Sequence, residues 1–245
     1  MIHYHGTPIG GTRDEVARFA VGRHFLIPFP RPEDIPIIAD VGSSFILDNG
    51  AFTIWKQSGV LDVNGYISFC EQWHRHPGFD WALIPDIING SEEENDAMLV
   101  LWPNHIAGVP VYHIGESFER LQRLAAKYKT VAIGSSGLWP NPGSSGWWNR
   151  IALIMDAICD ADGKPPCKLH GLRMMDPEIF TRLPLSSADS TNVAQNKNLI
   201  RRFGIYPAPT QSQRAAVIAS RIEAQNSAAY WQTQQQKVLF PGAFA

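Results

Sequence analysis

Apolar residues come in eight short blocks along the chain, at 2–6, 24–29, 44–48, 81–86, 109–114, 130–134, 168–172 and 183–189. Most are nearly continuous in apolar side chains and end in Gly, Pro or Asp, the pattern of a parallel strand buried on both faces. Longer amphipathic stretches lie between them. In "DVNGYISFCEQWHRHP" (62–77) Tyr66, Phe69, Cys70 and Trp73 recur at three- and four-residue steps. "SEEENDAMLVLWPNH" (91–105) opens with a serine and acidic residues, an N-terminal helix signature. "SFERLQRLAAKYK" (117–129) places Phe118, Leu121, Leu124 and Ala125 on one face. Helical segments are also expected at 12–22, 31–42, 147–163, 176–183 and 191–204. Strand then helix, eight times in about 200 residues, predicts an α/β fold of the (β/α)8 TIM-barrel type. An open doubly wound sheet shares the alternation, and the count of eight favours the barrel. The chain is expected to form one domain over 1–245, with the barrel at about 1–205 and an extra C-terminal helix over 206–245.

Composition narrows the class of protein. Of 245 residues, 44% are hydrophobic and 18% charged, which suits a folded globular chain. The formal net charge of -2 excludes a globally basic nucleic-acid coat but leaves room for a local basic groove. Cys70, Cys159 and Cys167 are too few and scattered for a disulfide framework. Neither a signal peptide nor a membrane span is visible, so the expectation is a cytoplasmic protein with no membrane partner.

Barrels build chemistry from the C-terminal ends of strands and the loops that follow. Those ends carry His5 and Thr7, Asp48 to Phe52, Asp86 and Asn89, His113 and Glu116, Gly134 to Gly137, His170 to Arg173, and Asp189. Three aspartates that converge on one mouth need mutual screening or a substrate, since an isolated charge is costly to bury. Each residue also has a structural reading. Asp48-Asn49-Gly50 is strong turn chemistry, Asp86 can cap the acidic helix after it, and His113 can be a satisfied core histidine. Asp189, within "SSADST", can serve the N-terminus of the next helix together with Ser190 or Thr191. Trp139, Trp147 and Trp148 are either packing or a stacking surface. No His/Cys cluster with metal spacing appears among these strand ends, so the sequence predicts neither a metal nor a cofactor for the protein.

The order of these motifs resembles the transglycosylase superfamily that exchanges guanine for a 7-deazaguanine in nucleic acid, whose best-known members are the tRNA-guanine transglycosylases. The resemblance spans roughly 2–196. Asp48-Asn49-Gly50-Ala51-Phe52 is similar to the family's Asp-Ser-Gly-Gly-aromatic motif, and Ala132-Ile133-Gly134-Ser135 with Gly137-Leu138 to its Ala-Ile-Gly-Gly-Leu motif. Asp86 matches the aspartate that reads the guanine edge, and Asp189 falls where the family has its nucleophile. The family's Gln-Gly pair is replaced by His113-Ile114-Gly115. The tRNA enzymes carry a zinc-binding Cys/His cluster after the nucleophile, and no cysteine follows Cys167 here. A compact chain without that cluster looks more like the zinc-free branch that inserts 7-deazaguanines such as preQ0 into DNA in phages and bacteria.

The resemblance implies that Asp189 attacks C1′ and forms a covalent glycosyl-enzyme, with Asp48 handling the proton. Asp86 would read the base edge and Phe52 would stack on it, while His113, Gly134, Ser135 and His170 complete the substrate pocket. Arg173, Lys197, Arg201 and Arg202 are the local candidates for phosphate contacts. The implied partners are DNA, with tRNA as the alternative acceptor, and a 7-deazaguanine base. Two other readings stay open: a hydrolytic N-glycosidase, and a non-catalytic nucleic-acid-binding barrel.

Overall fold

The structure, a computed structural model, describes residues 1–205 and 207–232, with the side chain of Arg202 excepted. Its strands are β1 (Ile2–Gly6), β2 (His24–Pro28), β3 (Ser44–Asp48), β4 (Phe79–Leu83), β5 (Gly108–Val109), β6 (Val111–His113), β7 (Thr130–Gly134), β8 (Lys168–Gly171) and β9 (Ser187–Ser190). All pairings are parallel, in the order β5-β4-β3-β2-β1-β9-β8-β7-β6. The two ends of that order, β5 and β6, are one stretch of chain broken at Pro110, whose ring removes the N–H a ladder needs. The Pro110 carbonyl still accepts from Ala132 N at 2.9 Å, and Val109 O accepts from Ile84 N at 2.9 Å on the other side. The ring therefore closes as an eight-stranded barrel, as the alternation predicts.

Helices fill the connections: α1 (Arg13–Ala20), α2 (Ile35–Val41), α3 (Ala51–Lys56), α4 (Val63–Trp73), α5 (Glu92–Leu101), α6 (Phe118–Lys127), α7 (Ser145–Ile158), α8 (Pro177–Phe180), α9 (Asn192–Asn196) and α10 (Gln211–Glu223). Their starts follow the capping chemistry in the sequence. Thr12 with Glu15, Ser91 with Glu94 and Thr210 with Gln213 form reciprocal capping boxes.

Side-chain parity sorts the barrel. Phe25, Ile27, Phe45, Leu47, Tyr112, Val131, Ile133, Leu169 and Ala188 pack outward with the helices. The alternate positions fill the interior: Tyr4, Leu26, Ile46 and Trp81 pack together, and Leu83, Val109, Val111, Ala132 and Leu172 stack beside them. At the lower end, Asp80 accepts from the hydroxyls of Tyr4 (2.7 Å) and Ser44, and His24 Nδ1 lies 2.7 Å from Ser44 Oγ. The interior is a packed plug capped by this polar network.

Several boundaries differ from expectation. The last strand is Ser187–Ser190 rather than 183–189, because Leu183 and Leu185 reach the core from a loop. Expected strand 81–86 begins at Phe79 and ends at Leu83, which leaves Asp86 on a loop. The expected helix over 191–204 divides into α9 and a 3-10 turn at Ile200–Phe203. Among the described residues the extra C-terminal helix covers Gln211–Glu223. The chain then returns across α7, where Trp231 N donates to Gly163 O (2.7 Å) and its indole N–H to Asp156 (2.6 Å). The remainder of the helix expected over 206–245 lies, from 233 onward, outside the described residues.

Candidate active site

Above the plug, at the C-terminal ends of the strands, opens a cavity of about 650 Å³, within the range of small-molecule sites. Asp48, Asp86 and Asp189 all line it, with Asn49, Phe52, His113, Gly134, Ser135 and Arg173. Asp48 shares the inward parity of Ser44 and Ile46, and Asp189 that of Ser187, so strand geometry aims both carboxyls at the mouth.

Asp48 is deeply placed among the other two carboxylates. Its carboxyl pKa is pushed up to about 7, chiefly by burial, and the charges of Asp189 and Asp86 push the same way. One hydrogen bond, from Gly50 N at 3.1 Å, opposes the shift. Gly50 itself is left-handed (φ 74°), and a Cβ there would meet Pro30 at 2.5 Å, so the turn that launches α3 needs glycine.

Asp86 is held from two sides. Asn49 Nδ2 donates to Oδ1 at 2.8 Å, and His113 Nε2 lies 3.0 Å from Oδ2, close enough for ion pairing but off the line of a directed hydrogen bond. Burial disfavours a charged His113, yet Asp86 and then Glu116 outweigh it, so the imidazole pKa is raised. Behind it, Glu116 accepts from His113 N (2.9 Å) and from the buried Arg120 (2.5 Å). His113 is thus both buried and wired to Asp86, on the lining of the cavity.

Asp189 is free of capping duty. Ser190 Oγ accepts from Asn192 N at 2.9 Å and serves the α9 terminus, whereas Asp189 Oδ1 accepts from Arg173 N at 2.8 Å. Below it, the fully buried His170 points Nε2 at Oδ1 from 3.6 Å, while His170 Nδ1 lies 2.9 Å from Ser187 Oγ. His170 belongs under the cavity floor, not on its lining, which corrects its expected place in substrate contact.

The expected phosphate contacts are largely redistributed. Arg173 donates to the carbonyls of Ser135 (2.5 Å) and Pro140 (3.2 Å), and its guanidinium lies 4.0 Å from the centre of the Phe52 ring. Burial lowers its pKa against the attraction of Asp189. It is a wall of the cavity rather than a free cation. Lys197 is 6% exposed and donates to Ala194 O at 3.0 Å, so it is unavailable to a phosphate. Arg201 is exposed but does not line the cavity, and the Arg202 side chain lies outside the described residues. Two cations absent from the sequence reading do line the mouth: Arg31 and Lys56. Both are exposed, and Lys56 Nζ sits 4.5 Å from the Phe52 ring centre. Arg31 follows an apolar strand block by two residues, a signal that strand-end reading can catch when it extends into the loop, whereas Lys56 ends α3 and reaches the mouth from that helix.

Other strand-end residues separate cleanly. Thr7 lines the cavity, while His5 has outward parity and bonds Glu223 of α10 at 2.8 Å. Trp147 is buried, donating to Ser135 Oγ at 2.8 Å, and Trp139 and Trp148 pack against the core, so these rings form structure rather than a stacking platform. The carbonyls of Gly134 and Ser135 are taken by Ile114 N and Arg173.

No family model matches the chain, and no curated protein matches it. Among solved structures, a candidate fructose-1,6-biphosphate aldolase from Coccidioides immitis superposes with a TM-score of 0.54 at 14% identity, over 91% of this chain and 89% of that one. At that identity the likeness concerns the barrel fold alone.

Proposed function

We propose that the protein is a base-exchange transglycosylase that replaces guanine in DNA with a 7-deazaguanine. The observation that carries the reading is the convergence of Asp48, Asp86 and Asp189 on one cavity, with Asp48 brought to about 7. A carboxyl near neutrality suits a group that gives a proton and takes one back.

In the proposed cycle, a carboxylate oxygen of Asp189 attacks C1′ as the C1′–N9 bond breaks, and Asp48 supplies the proton that departing guanine needs. The incoming 7-deazaguanine then forms its bond to C1′, expels Asp189 and returns its proton to Asp48. Two displacements retain the configuration, the logic of retaining glycosidases. Asp86, although held by Asn49 and His113, has lone pairs left on both oxygens to accept from the N1–H and amine of guanine. A base that stacks on Phe52 competes with Arg173 and Lys56 for the ring. Because C1′ is inaccessible within a duplex, the nucleotide is flipped out or single-stranded.

The test is incubation with labelled guanine or preQ0 and separate DNA and tRNA acceptors. Label in DNA supports the proposal, and label in tRNA alone reassigns the acceptor. Guanine released without any deazaguanine identifies a hydrolase on the same carboxylates. Nucleic-acid binding with neither event makes the barrel a binding module.

A further inference from the structure

On the opposite end of the barrel from the cavity, α4 and the loop before β5 bring together Glu71, His74 and His105. We propose that these three side chains form a binding site for a divalent late transition-metal ion, zinc above all. Glu71 sits in the last turn of α4 and His74, three residues on, is its C-cap with a still-helical backbone, so both project from the same face. The Glu-x-x-His spacing is a recurrent way for one helix to offer two ligands. His105 arrives from a loop more than thirty residues away, which is why no spacing in the sequence announces the group.

The ligand atoms are nearly placed. His105 Nε2 is 2.7 Å and His74 Nε2 3.4 Å from opposite oxygens of Glu71, and the three ligand atoms lie within 4.8 Å of one another. Tetrahedral zinc at ordinary bond lengths sets neighbouring ligand atoms about 3.3 Å apart. The two imidazoles approach different oxygens of Glu71, so rotation of the exposed Glu71 and His105 side chains is what brings one carboxylate oxygen and both Nε2 atoms to that spacing. The imidazole rings meet edge to face with centres 5.4 Å apart, and each faces Glu71 with its Nε2. Two imidazoles and one carboxylate are a borderline ligand set, suited to zinc and its neighbours rather than to calcium or magnesium. His74 is mostly buried while Glu71 and His105 are open to solvent, so a water can complete the fourth position. The ion would tie the end of α4 to the 102–107 loop, on the face of a barrel that governs stability rather than chemistry.

The experiment uses the full chain, stripped with chelator and titrated with zinc chloride by calorimetry, and with cobalt(II) by visible absorption. The expected result is one ion per chain, a tetrahedral cobalt spectrum, and a rise in melting temperature with zinc. Loss of a single outer partner costs metal affinity about 10- to 100-fold, so loss of a ligand should cost about 100-fold or more. His105→Ala and Glu71→Gln should show that loss and lose the zinc-dependent thermal shift. His105 is 58% exposed, so its removal spares the fold, and a matching melting temperature without metal confirms it. Wild type without a saturable site, or both variants binding as wild type does, overturns the proposal. Activity at the cavity is independent of either outcome.

Discussion

The Arg173 amide donates to Oδ1 of Asp189 at 2.8 Å, and Arg173 makes that bond from the left-handed region, at φ 59°. A non-glycine residue there carries local strain that its surroundings must hold. The bonds of Arg173 to Ser135 and Pro140 and its packing on Phe52 do so. One residue thus orients the candidate nucleophile through its backbone and closes the wall through its side chain. Arg173→Gly relieves the strain but releases the wall. The expected outcome is a protein that remains folded while exchange falls by about 10-fold or more, a misplacement cost. Circular dichroism and label incorporation check the two halves.

Asp189→Ala should remove exchange by about 10⁴-fold or more, the scale for loss of a nucleophile, with the melting temperature little changed. Asp189→Asn keeps an acceptor for the Arg173 amide but cannot form the ester. A denaturing gel of enzyme with guanine-containing DNA should then show no covalent adduct. Full exchange by either variant would mean that the nucleophile lies elsewhere.

Asp48→Asn should slow glycosyl-enzyme formation by about 10²- to 10⁴-fold, the range for general acid–base groups. The wild-type rate of that step should fall above about pH 7, where Asp48 loses its proton, and the variant should lose this limb. Stability is linked to the same proton. Between the ordinary carboxylate pKa and about 7 the folded chain binds the proton that the unfolded chain has released. Asp48 therefore contributes stability at low pH that is lost as pH rises to about 7. The melting temperature of Asp48→Asn should gain on wild type across that window.

Nucleic-acid binding separates the two sets of cations. Lys56→Ala and Arg31→Ala should each lower the salt slope of DNA affinity by about 1 if the residue meets a phosphate. Lys197→Ala should leave that slope unchanged, since its ammonium is buried against Ala194. Filter binding over a range of salt concentrations distinguishes the groups.

Glu223 accepts from Arg23 Nε at 3.1 Å and pairs with the buried His5 at 2.8 Å, fastening α10 to the outside of β1. Glu223→Ala should cost about 1–3 kcal/mol, because His5 Nε2 is left buried without a partner. Thermal unfolding measures the loss.

Much of this was legible in the chain because physics repeats itself there. Continuous apolar blocks ended by Gly, Pro or Asp gave the strands, and Ser91 with its acidic followers gave a helix start. Inward parity at strand ends is enough to send Asp48 and Asp189 to one mouth. Position at a strand end does not by itself give depth or face: His5 alternates outward toward α10, and His170 points inward but lies a layer too deep, against Tyr4 and Trp81. Lys197 reads as a surface cation, because nothing local announces that a neighbouring helix and the 9–15 segment will bury it. The block at 109–114 reads as one strand running through Pro110, and the apolar pattern does not show the interruption that the proline makes there. The Glu71–His105 pairing depends on tertiary structure alone.

The plug of Tyr4, Leu26, Ile46 and Trp81, sealed underneath by Asp80, makes the cavity a blind alley. Any ligand that reaches its floor has to back out along the route by which it came. For a reaction that trades one ring system for another at a fixed sugar, this imposes turn-taking: the first must vacate before the second enters, whatever their relative affinities.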